Sequence, residues 1–579
     1  MPPGYHGCYL RVDVSTGEAA IVPIRETILR EYIGGSGLGT RLLLDTGGAT
    51  VEALSPEAPF IFAFSPLVGT PLTTSAKFAV VSRSPLTDRI NDSLAGSGFA
   101  LAGKRCGCDA IVLVGRAPTL SALVIDDGEA RLHPVEELRG ASCPETEDAL
   151  RHRLGVDYRI ASIGPAGERL VRYATVSHDR RHAGRGGSGA VLGSKNIKAV
   201  AVRGTKRCEW AHANDLVALS RNLSERSFGP ATAKYRELGT AANLLTLNRF
   251  GALPTRNFQT GSFDQAASLS PAELGARYSR VRASCTACTI GCEHLYGIDN
   301  NDVRVEYESL FALGSLCGIA DGGAVLRASQ RCDEVGIDTI SAGGTIAFAM
   351  ECVERGLLDT RWLQFGSGDA VLKAIDLIGH RDGIGDLLAE GSRRAAVMIG
   401  HDSIAFAPQV KGLEIPGYEP RALQTMALGF AVGSRGADHN RSGAYEVDFS
   451  DKVDRRHATL DSVRHAIETE DKAALMDSLI LCKFLRGVFA DFYSEAAEML
   501  RSVTGWEVTA EELRATARRI VAAKREFNVR AGWTPEEDTL PERFLSVPLP
   551  NDPAATLSRE LLQRLRAEYY RQRGWTVAD

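Results

Sequence analysis

Three cysteines packed as Cys285-Thr-Ala-Cys288-Thr-Ile-Gly-Cys292 constrain this chain more than any other feature. Three such ligands on one turn call for a thiophilic centre. A [4Fe-4S] cluster fits, because three thiolates on one loop hold three corners while the fourth arrives from a distant segment, here Cys482. The spacing reverses the C-x3-C-x2-C order of radical-SAM clusters. Structural zinc fits too, since His294 follows closely and Cys285, Cys288, Cys292 and His294 would complete a Cys3His tetrahedron. Spacing alone leaves cluster and zinc open, with three unmetalled buried cysteines as the bland alternative.

At 579 residues the chain exceeds the roughly 250 at which single cores stop growing, so three domains are expected, spanning 1–207, 208–415 and 416–579. A formal net charge of -5 implies no broad basic surface for nucleic acid. No apolar run approaches the roughly 20 residues of a membrane helix, and the start, Met-Pro-Pro-Gly-Tyr-His-Gly, has no basic or twin-arginine leader. A cytoplasmic protein without membrane contact is expected. In a reducing compartment its cysteines are thiols or ligands. Cys8, Cys106, Cys108, Cys143, Cys208, Cys317, Cys332 and Cys352 lie in apolar or mixed surroundings and read mostly as small core residues.

The first two hundred residues alternate β-branched runs with Gly, Ser and Pro. Tyr9–Val14, Lys77–Ser82, Asp109–Val114 and Ile197–Val202 read as strands. Glycine-rich turns at Gly34–Gly39 and Gly184–Ala190 would offer backbone N–H groups to an anion. The first lacks the offsets and the acidic partner of a dinucleotide fingerprint. From about Ala211 apolar residues recur at helical spacing, over Asn214–Leu223, Ala324–Val335, Ala466–Leu500 and Ala510–Phe527. The fold class is therefore α+β: a β-rich N-terminal domain and two largely helical ones. Asp333-Glu-Val-Gly336-Ile-Asp338 weakly echoes Asp477-Ser-Leu-Ile480-Leu-Cys482, and alone that outline says little.

Taken together, these pieces resemble the aldehyde ferredoxin oxidoreductase family of tungsten bis-pterin enzymes. The blocks that carry the resemblance run in order along the chain: Gly34–Gly39, Thr70–Leu86, Arg181–Lys198, the cysteine loop, Val305–Leu310, Pro416–Arg421, Ser434–His439, Phe527–Arg530 and Asp538–Arg543. The resemblance implies a [4Fe-4S] cluster on Cys285, Cys288, Cys292 and Cys482, in preference to zinc. It implies a tungsten or molybdenum bis-pterin at the junction of the domains, cradled by Lys77, Ala183, Gly184, Arg185, Gly186, Asp333, Asp338, Arg435 and Asp477. Asp333 and Asp477 would accept hydrogen bonds from the two pterins, a task suited to charged acceptors. Magnesium bridging the pterin phosphates would be held in part by the carbonyl of Leu94, where the family has asparagine. Two further departures stand out. Ile480 replaces a usual glycine, and Lys77 replaces an arginine, exchanging a planar fork for a point charge.

By the same resemblance Glu308 and His439 flank the metal. Turning an aldehyde into an acid adds a water oxygen and removes two electrons, so Glu308 is expected to activate water or accept a proton, and His439 to hydrogen-bond the carbonyl oxygen. Burial should raise the pKa of Glu308, whereas for His439 burial and negative charge oppose each other. Without the family, Glu308 reads as a helix-start carboxylate and His439 as a member of an ion network with Arg435, Asp438 and Arg441. Tyr307, Tyr418 and Arg421 read as packing residues. Electrons would leave through the cluster to ferredoxin or an iron-sulfur partner subunit, in a homodimer or hetero-oligomer. The alternatives are a catalytic subunit of a larger complex acting on an aromatic thioester or a hydroxy acid, and a zinc-stapled scaffold without catalysis.

Overall fold

The computed structural model of the chain describes residues 1–96, 98–550 and 552–576. Strands β1 (Cys8–Asp13), β2 (Glu18–Pro23), β3 (Phe60–Ala63), β4 (Lys77–Arg83), β5 (Ile90–Gly96) and β6 (Ala110–Val114) form one sheet in the order β2-β1-β6-β3-β4-β5. Strands β7 (Ser121–Asp126), β8 (Glu129–Pro134), β9 (Arg159–Ser162), β10 (Val176–His178), β11 (Arg181–Ala183) and β12 (Ile197–Arg203) form a second, ordered β11-β10-β9-β12-β7-β8. Pairing is antiparallel except for β1 with β6 and β7 with β12. The four expected strands coincide with β1, β4, β6 and β12 to within a residue or two at each end.

Side-chain alternation along a strand explains why these runs are apolar throughout. Phe60 and Phe62 point into a core shared by the two sheets. Ile61 and Ala63, between and beyond them, join a core with the C-terminal helices. The first sheet is thus covered on both faces, and its middle strands β3, β4 and β6 are apolar but for Lys77, Ser82 and Arg83 of β4.

Beyond Arg203 the chain is mostly helical, as expected, with long helices Ala213–Ser227, Gly322–Val335, Thr339–Glu354, Leu460–Leu479 and Ala510–Arg530. Among the described residues no single helix is long and apolar enough to cross a membrane. A small antiparallel sheet of β13 (Arg280–Ala283), β14 (Glu293–Ile298) and β15 (Asn301–Arg304) interrupts the helices, and the cysteine loop is the turn between β13 and β14.

Two expectations need correction. The helical stretch Ala466–Leu500 is broken, because the Leu460–Leu479 helix stops at Ile480, which adopts φ 64° and ψ 28°, and helix resumes only at Phe492. Gly34–Gly39 is not a turn but the first part of the Gly35–Asp45 helix. Its glycines serve close packing rather than an anion. A Cβ on Gly35 would lie 2.4 Å from the Asp477 carbonyl oxygen, and one on Gly37 2.4 Å from the Tyr32 carbonyl oxygen. One on Gly39 would meet Val81 of β4 at 2.5 Å.

Of the eight cysteines read as core residues, Cys106, Cys108, Cys143, Cys317, Cys332 and Cys352 are buried, while Cys8 and Cys208 are half-buried.

Candidate active site

Two threonines of the Thr70–Leu86 block gather the cysteines. The Thr74 N–H donates to the Ala287 carbonyl at 2.7 Å, and its hydroxyl accepts from the Cys482 N–H at 3.1 Å. The Thr289 N–H donates to the Thr73 hydroxyl at 3.0 Å. Left-handed Ala287 and Gly291 fold the loop back over this clamp. Cys482 thereby joins Cys285, Cys288 and Cys292 around the Lys77 amine. Burial alone would favour the neutral amine, but the four neighbouring thiols, Cys482 foremost, raise its pKa and hold it charged. His294 lies on β14, with its ring against Gly239.

Cys285 and Cys482 open onto a cavity of about 440 Å³ between the first sheet and the helices. Lys77, Leu94, Gly184, Arg185, Glu308, Asp333, Asp338, Arg435, His439 and Asp477 all line it, with Cys285 and Cys482 at one wall. Cys288 and Cys292 pack behind that wall against the helical core. Ala183 faces the core between the sheets, and a Cβ on Gly186 would strike Asn91, so these two shape the loop from behind. Gly184 is open on its Cβ side, with no neighbour nearer than 3.9 Å, which leaves room for a ligand against its backbone.

The weak echo between Asp333 and Asp477 is a repeated piece of structure. Each carboxylate sits in the last turn of a helix that ends three residues later in a left-handed cap, Gly336 at φ 78° and Ile480 at φ 64°. The residue after each cap donates to the same carbonyl as the cap itself, Ile337 to Cys332 and Leu481 to Met476. A negative charge at a helix C-terminus is unfavourable by itself, so each is paired with cations. His182 Nε2 lies 3.0 Å from Asp333, while Lys483 Nζ and Arg441 Nη1 lie 2.9 and 3.1 Å from Asp477. Burial raises the pKa of Asp333, but His182 and then Arg304 outweigh it and lower it. Asp338 caps the Thr339–Glu354 helix through the Ile340 and Ser341 N–H groups and accepts from Arg185 Nε at 3.3 Å.

Behind this wall lies a charge network of which the sequence reading reached only Arg435, Asp438 and Arg441, as companions of His439. Asp92 on β5 is fully buried and accepts from Lys524 Nζ at 2.7 Å, from Arg441 Nε at 3.1 Å and from the Ser36 hydroxyl. Arg435 donates to the Asp92 carbonyl at 2.7 Å. Burial pushes the Asp92 pKa up, but Arg441, Lys524 and Arg435 together hold it far below the usual carboxylate range. Arg441 then links Asp92 to Asp477, tying the first sheet to the C-terminal helices. The signals were Arg441, two residues beyond His439, and Lys483, directly after Cys482.

Glu308 and His439 face each other at 3.5 Å. Glu308 is the second residue of the Tyr307–Leu313 helix and accepts the Gly417 N–H at 3.0 Å. Burial pushes its pKa up to about 8, partly opposed by that hydrogen bond and by Arg185. His439 opens a short helix capped by Asp438 and packs at a tilt against Tyr418 and Tyr445, which stack on each other, with its ring centroid 5.0 and 6.0 Å from theirs. Burial pushes its pKa down to about 3, with Asp438 opposing and Arg185, Arg486 and Arg441 assisting. Burial therefore wins over negative charge at this histidine. Tyr307 donates to the Gly417 carbonyl and Arg421 forks onto Glu419, so both pack and position as expected.

The cavity is built for a polar occupant that both donates and accepts hydrogen bonds. Glu308 Oε1, His439 Nδ1 and Arg435 Nε are buried without hydrogen-bond partners, a cost of about 1–3 kcal/mol each unless a ligand meets them. Among the described residues no three His, Cys, Asp or Glu groups stand close enough to hold a single metal ion. Four thiols ringing a space suit a multi-iron cluster, whose corners point apart, better than the roughly 2.3 Å Zn–S bonds of one tetrahedral ion.

Residues 9–204 match the family model for the N-terminal domain of aldehyde ferredoxin oxidoreductase, and residues 219–579 match the model for its domains 2 and 3. The chain is 37% identical over 593 residues to the tungsten-containing aldehyde ferredoxin oxidoreductase of Pyrococcus furiosus, covering 99% of this chain and 96% of that protein. Identity to the protein of the same name from Thermococcus kodakarensis is also 37%, with the same coverage. The WOR-like subunit of an aliphatic sulfonate oxidoreductase of Pyrococcus furiosus is 27% identical over 99% of this chain and 94% of its own length. The fold is shared with the active-site complex BamBC of benzoyl coenzyme A reductase, at TM-score 0.85 and 24% identity, over all of this chain and 95% of that one. The chain is an oxidoreductase and belongs to the aldehyde ferredoxin oxidoreductase family.

Proposed function

We propose that this protein oxidises aldehydes to carboxylic acids at the Glu308–His439 pair and passes the electrons out past the four cysteines to ferredoxin or an iron-sulfur partner subunit. The observation that carries the reading is one cavity joining an acid–base pair of shifted pKa values to a thiol ring. Cys285, Cys288, Cys292 and Cys482 would hold a [4Fe-4S] cluster. Asp333, Asp477 and the backbone at Gly184 would hold a tungsten or molybdenum bis-pterin, and the Leu94 carbonyl a magnesium ion. When bound, the pterin metal supplies the acceptor for two electrons.

The balance is one aldehyde and one water giving one carboxylic acid, two protons and two electrons. Glu308, ionised, accepts a proton from the water as its oxygen bonds to the aldehyde carbon. His439 is neutral, so its ring offers one N–H and one lone pair. Once Glu308 has taken up that proton it can donate to the Nε2 lone pair, in the tautomer whose unpartnered Nδ1–H then donates to the substrate oxygen as charge develops there. Tyr418 and Tyr445 hold the ring in place and exclude water from it.

Anaerobically purified protein should contain four irons, one tungsten or molybdenum and two pterins per chain, and should reduce benzyl viologen with simple aldehydes. Glu308→Gln should abolish that turnover with metal content intact. Near-normal turnover of the variant would refute the assignment.

A further inference from the structure

The surface beside the cysteine loop carries charge of the opposite sign to the chain as a whole. On a protein of net charge -5, the Pro230–Leu238 helix and strand β13 bring together Lys234, Arg236, Arg280 and Arg282. None of the four has an ion-pair partner among the described residues, although neighbouring Arg226, Arg277 and Arg181 are neutralised by Glu495, Glu273 and Glu293. Among the described residues the one carboxylate on these two elements is Glu237, and Glu225 on the preceding helix is likewise without an ion-pair partner.

Four contacts tie this surface to the thiols. The Ser227 hydroxyl meets Thr289 of the loop at 2.6 Å. A Cβ on Gly239 would lie 3.4 Å from the Cys292 carbonyl oxygen, so the end of the Pro230–Leu238 helix rests on that cysteine. Arg282 Nε runs within 3.5 Å of the Cβ position of Gly291. His294, two residues beyond Cys292, pairs with Arg282 across the β13–β14 ladder. At the middle of the surface Phe228 is 54% exposed, with the Arg236 guanidinium 4.1 Å from its ring centroid, and Leu238 is 40% exposed.

We propose that this face docks an acidic iron-sulfur electron carrier, with Phe228 and Leu238 as the apolar centre and Lys234, Arg236, Arg280 and Arg282 as the cationic rim. The proposal rests on the reading that electrons leave through the four cysteines. An apolar centre inside a charged rim is the anatomy of a transient interface, in which the rim steers encounter and fixes orientation. Because the rest of the chain repels an anionic partner, the local cations select where it lands. Each aldehyde oxidised yields two electrons, so two one-electron carriers are reduced in turn on this face and no bond is made or broken there. Lysine or arginine on an exposed edge strand such as β13 also prevents it from pairing with another sheet.

The test uses the holoenzyme and a purified small acidic [4Fe-4S] ferredoxin, with binding followed by titration calorimetry at several salt concentrations. The double variants Arg280→Glu/Arg282→Glu and Lys234→Glu/Arg236→Glu should each weaken ferredoxin binding about tenfold or more and flatten its salt dependence. Arg280→Lys/Arg282→Lys should restore it. Cluster absorbance and viologen turnover with aldehyde should be unchanged, which separates lost docking from lost folding. Unchanged ferredoxin affinity in both charge-reversed variants would overturn the proposal, and so would a change of oligomeric state alone, which would assign the face to a second copy. Binding needs no aldehyde chemistry, so failure of aldehyde turnover in the unmodified enzyme would refute the function proposed above and leave this measurement standing.

Discussion

Glu308 Oε1 and His439 Nε2 stand 3.5 Å apart with their proton affinities inverted, the carboxyl raised by burial to about 8 and the imidazole lowered by burial to about 3. At neutral pH the carboxyl is mostly protonated and the ring uncharged. A reaction that needs the Glu308 carboxylate should therefore speed up as pH rises, with a limb in kcat/KM near pH 8 and none from His439 between pH 5 and 8. Steady-state rates with a non-ionising aldehyde and a dye check this. Glu308→Asp should keep the limb and lose about 10²-fold or more in rate, because the shorter side chain retracts the base.

Ile480 and Gly336 occupy the same cap, and only one of them is a glycine. A left-handed isoleucine costs about 1–2 kcal/mol in backbone strain, yet its side chain is fully buried, and the Ile→Gly change forfeits more than that relief returns. Ile480→Gly should thus destabilise the protein by about 2 kcal/mol in denaturant unfolding while leaving iron content intact. Gly336→Ile should be far worse, since a Cβ there meets the Gly164 nitrogen at 2.9 Å and Cys143 Sγ at 3.1 Å.

Lys77 is the one cation surrounded by all four cluster cysteines. Removing its charge should make the bound cluster harder to reduce. Lys77→Gln is expected to lower the midpoint potential by on the order of 100 mV, from one charge at about 6 Å in a medium of effective dielectric about 20. Lys77→Arg should stay near the unmodified value. Potentiometric titration followed by EPR reads both.

Asp92 anchors Arg435, Arg441 and Lys524. Asp92→Asn would leave three buried cations short of their counter-charge and should cost about 3–5 kcal/mol. The sign with pH follows from its depressed pKa. The stabilisation is present above the ordinary value of 3.8 and is lost as pH falls towards the native-state value, so the variant should narrow the gap to the unmodified protein in acid. Urea unfolding at pH 7 and pH 3 would show it.

How much of this was legible in the sequence depends on the range of the interaction. Strands β1, β4, β6 and β12 announced themselves because sheets buried on both faces write unbroken β-branched runs. The Gly35–Asp45 helix did not, because glycine is a poor helix former and the packing that overrides its propensity comes from Asp477 and Val81, far along the chain. The cysteine set and the Glu308–His439 pair were reached through their sequence blocks. Asp92, whose cationic partners lie more than 300 residues away, left no local trace. The same holds for Thr74, which joins the cysteine loop to Cys482. The echo of Asp333 and Asp477 was visible but uninterpretable until both proved to end helices in the same turn.

The glycine face of the Gly35–Asp45 helix has a mechanical consequence. Where Gly35 touches the Asp477 carbonyl and Gly39 the short, branched side chain of Val81, the helix backbone rests on its neighbours with no side chain of its own between them. A joint of that kind has no slack, so one carboxylate arm of the cavity and the sheet strand that bears Lys77 move as a single body.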